Sequence, residues 1–257
     1  SQVRISTGEA PDVIFANIPS AYSTYDAKNT LVNLDDQAWT SRLSMDTSSI
    51  VAADGSLYGM PITGYSGVMG VIYNVDVFES LNIEIPKTYD DFLAACETIK
   101  QSGTNPLYLS FKDTWTTQIM PMIYFANALD ERCNEVYAEL NTNQLSFADV
   151  PEYKQALTDF QALFDTGYVN EDYIVGTYDE SQAAVATGES AMMVCGEYAV
   201  NSILENYPDA NIGMFPLPYN DVDKIMTANY VYALCVPKAA ADTAVSLDFI
   251  NKFSQPD

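Results

Sequence analysis

The stretch Asp179–Glu205 reads DESQAAVATGESAMMVCGEYAVNSILE. Small apolar residues recur at helical spacing in its first part, which predicts a helix over Gln182–Thr187. The short apolar run Ala191–Cys195 predicts a strand. Helical spacing resumes from Tyr198 to Glu205. Helix, strand and helix in close succession are the signature of a layered α/β fold.

The rest of the chain extends this pattern. Ser1–Gly8 reads as the end of a helix, Glu9–Asp12 as a turn, and Val13–Ala16 as a buried strand. Tyr58–Thr63 and Met69–Asn74 read as two strands separated by the loop Gly64-Tyr65-Ser66-Gly67. After Pro86 and Lys87, Thr88 and Asp91 have the spacing of a capping box. Tyr89, Phe92, Leu93, Cys96 and Ile99 then share one helical face, and Gly103 stands at the terminator position. Tyr153, Ala156, Leu157, Phe160, Leu163 and Phe164 form a second such face, stopped by Gly167. Ile212–Phe215 and Val231–Val236 are strands, and a last helix turns Leu247, Ile250 and Phe253 inward. The expected architecture is α/β with mixed, largely parallel sheets.

Composition removes several function classes. The 257 residues carry 11 Lys+Arg against 35 Asp+Glu, a formal net charge of -24, which repels nucleic acid and anionic lipid surfaces. With no histidine, an imidazole-based triad, an imidazole acid or base, and nearly all catalytic zinc sites are excluded. No metal or other cofactor is called for. Apolar runs stay far below the ~20 residues of a membrane helix. Cys96, Cys133, Cys195 and Cys235 show no C-x-x-C spacing and read as small buried thiols rather than bridges, although spacing does not decide pairing. The 18 tyrosines offer flat apolar faces with polar tips, which suit sugar rings as well as packing.

Five segments, in order, resemble the carbohydrate-binding extracellular solute-binding proteins of ABC importers, a family that includes the maltodextrin binders. They are Gly8–Val13, Leu57–Ile62, Gly70–Asn74, Pro86–Phe92 and Gly188–Tyr198. The resemblance implies a two-lobe, type II periplasmic-binding-protein-like fold that closes on ligand in an interlobe cleft by hinge motion. It assigns 1–70 plus 229–257 to a first, incomplete lobe and 71–228 to a second. Family members carry a signal segment, often with a lipid-modified cysteine, before the part matched here, and further helices after it. The implied role is therefore that of a fragment of a monomeric, non-catalytic receptor, extracellular or periplasmic and lipid-anchored in its full form. Such a receptor captures a mono- or oligosaccharide and delivers it to the importer's permease.

The resemblance also nominates residues. Tyr198 matches the aromatic that follows the G-E-x-A-M strand and stacks on sugar; the alternative is a packing aromatic at a strand-to-helix turn. Asp113 and Trp115 match an acidic residue and an aromatic two apart, a carboxylate that accepts hydroxyls beside a stacking ring. The alternative is that Asp113 caps a helix starting near Thr114 while Trp115 packs inward. Tyr65 and Ser66 before the first crossing, Asn17 after the first strand, and Tyr230 at the return crossing are loop candidates at strand ends. Glu197 is a candidate hydroxyl acceptor, or an acid favoured by a helix dipole. A receptor for a peptide or polyamine is the competing ligand class. A glycoside hydrolase is the competing activity, since it needs only two carboxylates roughly 5–9 Å apart.

Overall fold

Thr88 shows how local sequence sets the elements. Its hydroxyl accepts the Asp91 backbone N–H at 3.1 Å, and the Asp91 carboxylate accepts the Thr88 N–H at 3.0 Å. These bonds hold the Asp91 carboxyl below the usual carboxylate range. The helix they start buries Phe92, Cys96 and Ile99, and Gly103 behind it adopts a φ of 86°.

The computed structural model describes residues 2–18, 20–44, 47, 50–221 and 226–255, without the side chains of Gln2, Ser6, Tyr65, Ser66 and 226–230. In chain order the described elements are α1 (Gln2–Ser6), β1 (Ile14–Ile18), α2 (Ser20–Tyr25), α3 (Ala27–Thr30), β2 (Met60–Asn74), α4 (Val75–Ser80), α5 (Tyr89–Gln101), β3 (Asn105–Tyr108), α6 (Ile119–Leu129), α7 (Cys133–Asn141), α8 (Pro151–Asp165), α9 (Tyr178–Thr187), β4 (Ser190–Gly196), α10 (Tyr198–Asn206), β5 (Ile212–Phe215), β6 (Met226–Cys235) and α11 (Thr243–Phe253). The chain divides into two units, Ser1–Ser66 with Asn229–Asp257, and Gly67–Ala228.

β6 lies between β1 and β2 in the strand order. β1 and β6 run antiparallel, from Ile14 opposite Cys235 to Ile18 opposite Val231. Ile14, Ile18, Leu31, Leu34, Trp39, Ala233, Cys235 and Ile250 form the core of the first unit. Phe253 departs from the expected inward face of α11. It is 59% exposed and packs on the equally outlying Phe249, centroids 5.1 Å apart, because it belongs to the helix's last turn.

The second unit orders its strands β5-β2-β4-β3. β4 is buried along its whole length, with α9 packed against it and α5 against β3. The sheets are of mixed orientation, but the balance differs from the expected one. β4 and β5 both run antiparallel to β2, as β1 does to β6, while β3 and β4, joined through the helices α6–α9, are parallel. β2 is also one strand, not two, since Gly64 and Gly67 continue in extended backbone.

Much of the tyrosine content packs this unit. Tyr124 stacks on Tyr219 at 4.1 Å and meets Tyr89 edge-on, while the Tyr219 hydroxyl donates to Asp159 at 2.6 Å. All four cysteines are free thiols, with Cys96, Cys195 and Cys235 buried and Cys133 half-buried. Burial pushes the Cys96 and Cys235 thiols up to about 12. Because the thiolate is the reactive form, labelling of the native protein at mild alkaline pH should modify Cys133 first. Rapid reaction of Cys96 or Cys235 without denaturant would contradict this packing.

Candidate functional site

Three aromatic rings come together in the second unit. Trp115 sits in the 3-10 turn Thr114–Gln118 and is 40% exposed. Its ring meets Tyr178 edge-on at 4.9 Å and lies 6.5 Å from Tyr198 with the planes tilted by 47°. Tyr178 opens α9 and Tyr198 opens α10, so both rings stand at helix starts flanking the strand β4.

Each ring is held from below. Thr116 braces the Trp115 turn: its hydroxyl donates to the carbonyls of Ser110 at 2.7 Å and Asp113 at 2.9 Å. The Asp113 carboxylate accepts the backbone N–H of Tyr178 at 2.7 Å and makes no side-chain cap to the turn that follows it. Asp113 thus fastens the start of α9 beside Trp115, which is a different job from capping at Thr114. Tyr198 lies across the end of β4. The Cys195 thiol donates to its hydroxyl at 3.4 Å, and a Cβ built on Gly196 would overlap its ring. Burial raises the Cys195 thiol above its ordinary value, with the Tyr198 and Tyr178 hydroxyls acting in the opposite direction.

Glu197 borders this group. Its carboxylate accepts the Val68 backbone N–H at 2.6 Å, and it makes no cap bond to α10, so a helix dipole alone does not account for its placement.

The remaining candidates belong to the first unit. Asn17 lies inside β1 rather than after it, half-buried and opposite Tyr232, with its carbonyl accepting the Ser20 hydroxyl at 3.0 Å. Tyr65 and Ser66 fall in β2 and Tyr230 in β6, and their side chains lie outside the described residues.

Two residues of these surfaces are not among the sequence candidates. Tyr178 lies ahead of the helix expected over Gln182–Thr187; the capping box Thr177 to Glu180 is the signal that locates it. Phe15, 59% exposed and stacked on Tyr232 at 5.2 Å, sits on the same β1 face as Asn17. Its apolar neighbours Ile14 and Ala16 disguised the alternation. Among the described residues, no three His, Cys, Asp or Glu side chains are grouped as metal ligands, and no helix is long and apolar enough to cross a membrane.

The chain matches, over residues 2–257, the family model described as bacterial extracellular solute-binding protein. It is 23% identical over 224 residues to the multiple sugar-binding protein of Streptococcus mutans, an alignment spanning 84% of this chain and 52% of that one. It is 21% identical over 269 residues to the melibiose/raffinose/stachyose-binding protein MelE of Bacillus subtilis, with 99% and 60% covered. Among solved structures, the binding protein RafE in complex with raffinose superposes with a TM-score of 0.72 at 22% identity, covering 98% of this chain and 65% of the other. The chain thus spans about half to two thirds of the length of these relatives. With the family model matched across nearly the whole chain, the chain belongs to the bacterial extracellular solute-binding protein family.

Proposed function

We propose that the chain forms part of a receptor that captures a mono- or oligosaccharide and delivers it, unaltered, to the permease of an ABC importer. The observation that carries this reading is the group of Trp115, Tyr178 and Tyr198 at the end of β4. The C–H face of a sugar ring is apolar and slightly positive, and it pairs with the negative face of an aromatic ring. Trp115 and Tyr198 act as the stacking surfaces, Tyr178 backs Trp115, and the Asp113 oxygen not held by Tyr178 accepts a sugar hydroxyl. Asn17, Tyr65, Ser66 and Tyr230 are the contacts assigned to the first unit. The two relatives, a multiple sugar-binding protein and a melibiose/raffinose/stachyose-binding protein, support the ligand class. The receptor works as a monomer outside the cell membrane, held there by a lipid anchor.

Titration with a panel of mono- and oligosaccharides, followed by calorimetry and fluorescence, tests this. Of the two tryptophans, Trp39 is 2% exposed in the first unit's core and Trp115 is 40% exposed. A saccharide-induced fluorescence change should therefore arise from Trp115 and disappear in Trp115→Phe. A signal that persists in that variant would remove Trp115 from the binding surface, and absence of binding across the panel would remove the sugar reading. The saccharide should also be recovered uncleaved after prolonged incubation; release of products would favour a hydrolase.

A further inference from the structure

We infer that Glu197 is a positioning residue that splices the aromatic surface to strand β2, an inference resting on the sugar-receptor reading. β4 ends at Gly196, opposite Met69, so the next pair in this antiparallel ladder is Glu197 with Val68. Half of that pair forms: the Glu197 N–H donates to the Val68 carbonyl at 2.9 Å. The other half does not form through the backbone. Glu197 has already turned helical, with φ -57° and ψ -23°, and its carbonyl accepts the Val200 N–H at 3.0 Å inside the first turn of α10. The Val68 N–H would be left as an orphan donor in partly buried surroundings, a costly arrangement.

The Glu197 carboxylate fills the gap, accepting that N–H at 2.6 Å in place of the missing carbonyl. One residue therefore ends a strand, starts a helix and completes the neighbouring strand's ladder. Tyr198 is the next residue along the chain, so its ring inherits the orientation this junction sets. Val68 is the second residue of Gly67–Ala228, directly after the first unit's continuous run Ser1–Ser66. The junction thus ties the stacking tyrosine to the stretch of β2 at which one unit's residues give way to the other's. This role differs from accepting a sugar hydroxyl, because the bonded oxygen is committed to the backbone and needs reach and acceptor character rather than charge.

That distinction sets the test. Glu197→Gln keeps an amide oxygen at the same reach, Glu197→Asp keeps the charge but shortens the arm, and Glu197→Ala removes both. Saccharide affinity is measured for each with the best ligand of the panel, and amide exchange at Val68 is measured without ligand. The expected result is affinity within about twofold of the parent for Gln, and a loss on the order of tenfold for Asp and Ala, from the orphaned donor. Val68 protection should be retained in Gln and lowered in the other two. Should Ala fail to fold, the contrast between Gln and Asp carries the same information. Equal losses in Gln and Ala with Val68 protection intact would overturn the proposal and make Glu197 a charged sugar contact. Unchanged affinity and protection in all three variants would overturn it as well. A parent that binds no saccharide refutes the receptor reading alone, since Val68 exchange still reports whether the junction exists.

Discussion

Replacing Tyr198 by alanine is expected to lower saccharide affinity by about 1–3 kcal/mol, roughly 5- to 150-fold, the range for truncating a buried aromatic at a binding surface. Trp115→Ala should fall in the same range. The two losses should not add, because the rings lie 6.5 Å apart and share a bound ligand. Tyr198→Phe separates the ring from its hydroxyl, which accepts a hydrogen bond from the Cys195 thiol. It keeps the stacking surface and loses a sulfur hydrogen bond, so it should retain most of the affinity. Isothermal calorimetry on the three variants reads this directly. If Tyr198→Ala binds as the parent does, the ring is a packing residue of the turn between β4 and α10.

Gly196→Ala is the second large effect. A Cβ at this position would overlap the Tyr198 ring, and β4 is buried on both sides, so the backbone has little room to give. Overpacking of this kind costs about 1–3 kcal/mol of folding stability, and the ring that moves aside leaves its place in the binding surface. Chemical denaturation and saccharide affinity should therefore fall together. The cause is checked by a double-mutant cycle. In a Tyr198→Ala background the obstacle is gone, and the stability cost of Gly196→Ala should shrink to below about 1 kcal/mol. An undiminished cost would locate the strain in the strand backbone instead of the ring.

The parts of the fold legible in the sequence were those written in local chemistry. The apolar run Ala191–Cys195 forms a strand as expected, and the Thr88–Asp91 pair begins a helix as its spacing requires. Glycine was read too strongly at Gly64 and Gly67, where extended backbone continues through β2 and no turn intervenes. Strand direction was read from the alternation of helices and strands, which describes β3 and β4 but misses that β2 is flanked by antiparallel neighbours. In the candidate site, Trp115 and Tyr198 are nominated singly by the family resemblance, while their meeting with Tyr178 depends on where α9 starts. The bond from Val68 to Glu197 joins residues 129 apart in the chain and has no local signature. Asp113 likewise reaches 65 residues to the Tyr178 amide.

The most direct test of sugar stacking on the second unit's rings is saturation-transfer NMR on the protein with a saccharide from the panel, irradiating the aromatic protons. Strong transfer to the C–H protons on one face of a sugar ring is expected, abolished in the Trp115→Ala/Tyr198→Ala double variant. Transfer that survives in the double variant, or none from the parent at a saccharide concentration that saturates the calorimetric signal, would contradict sugar stacking on these rings.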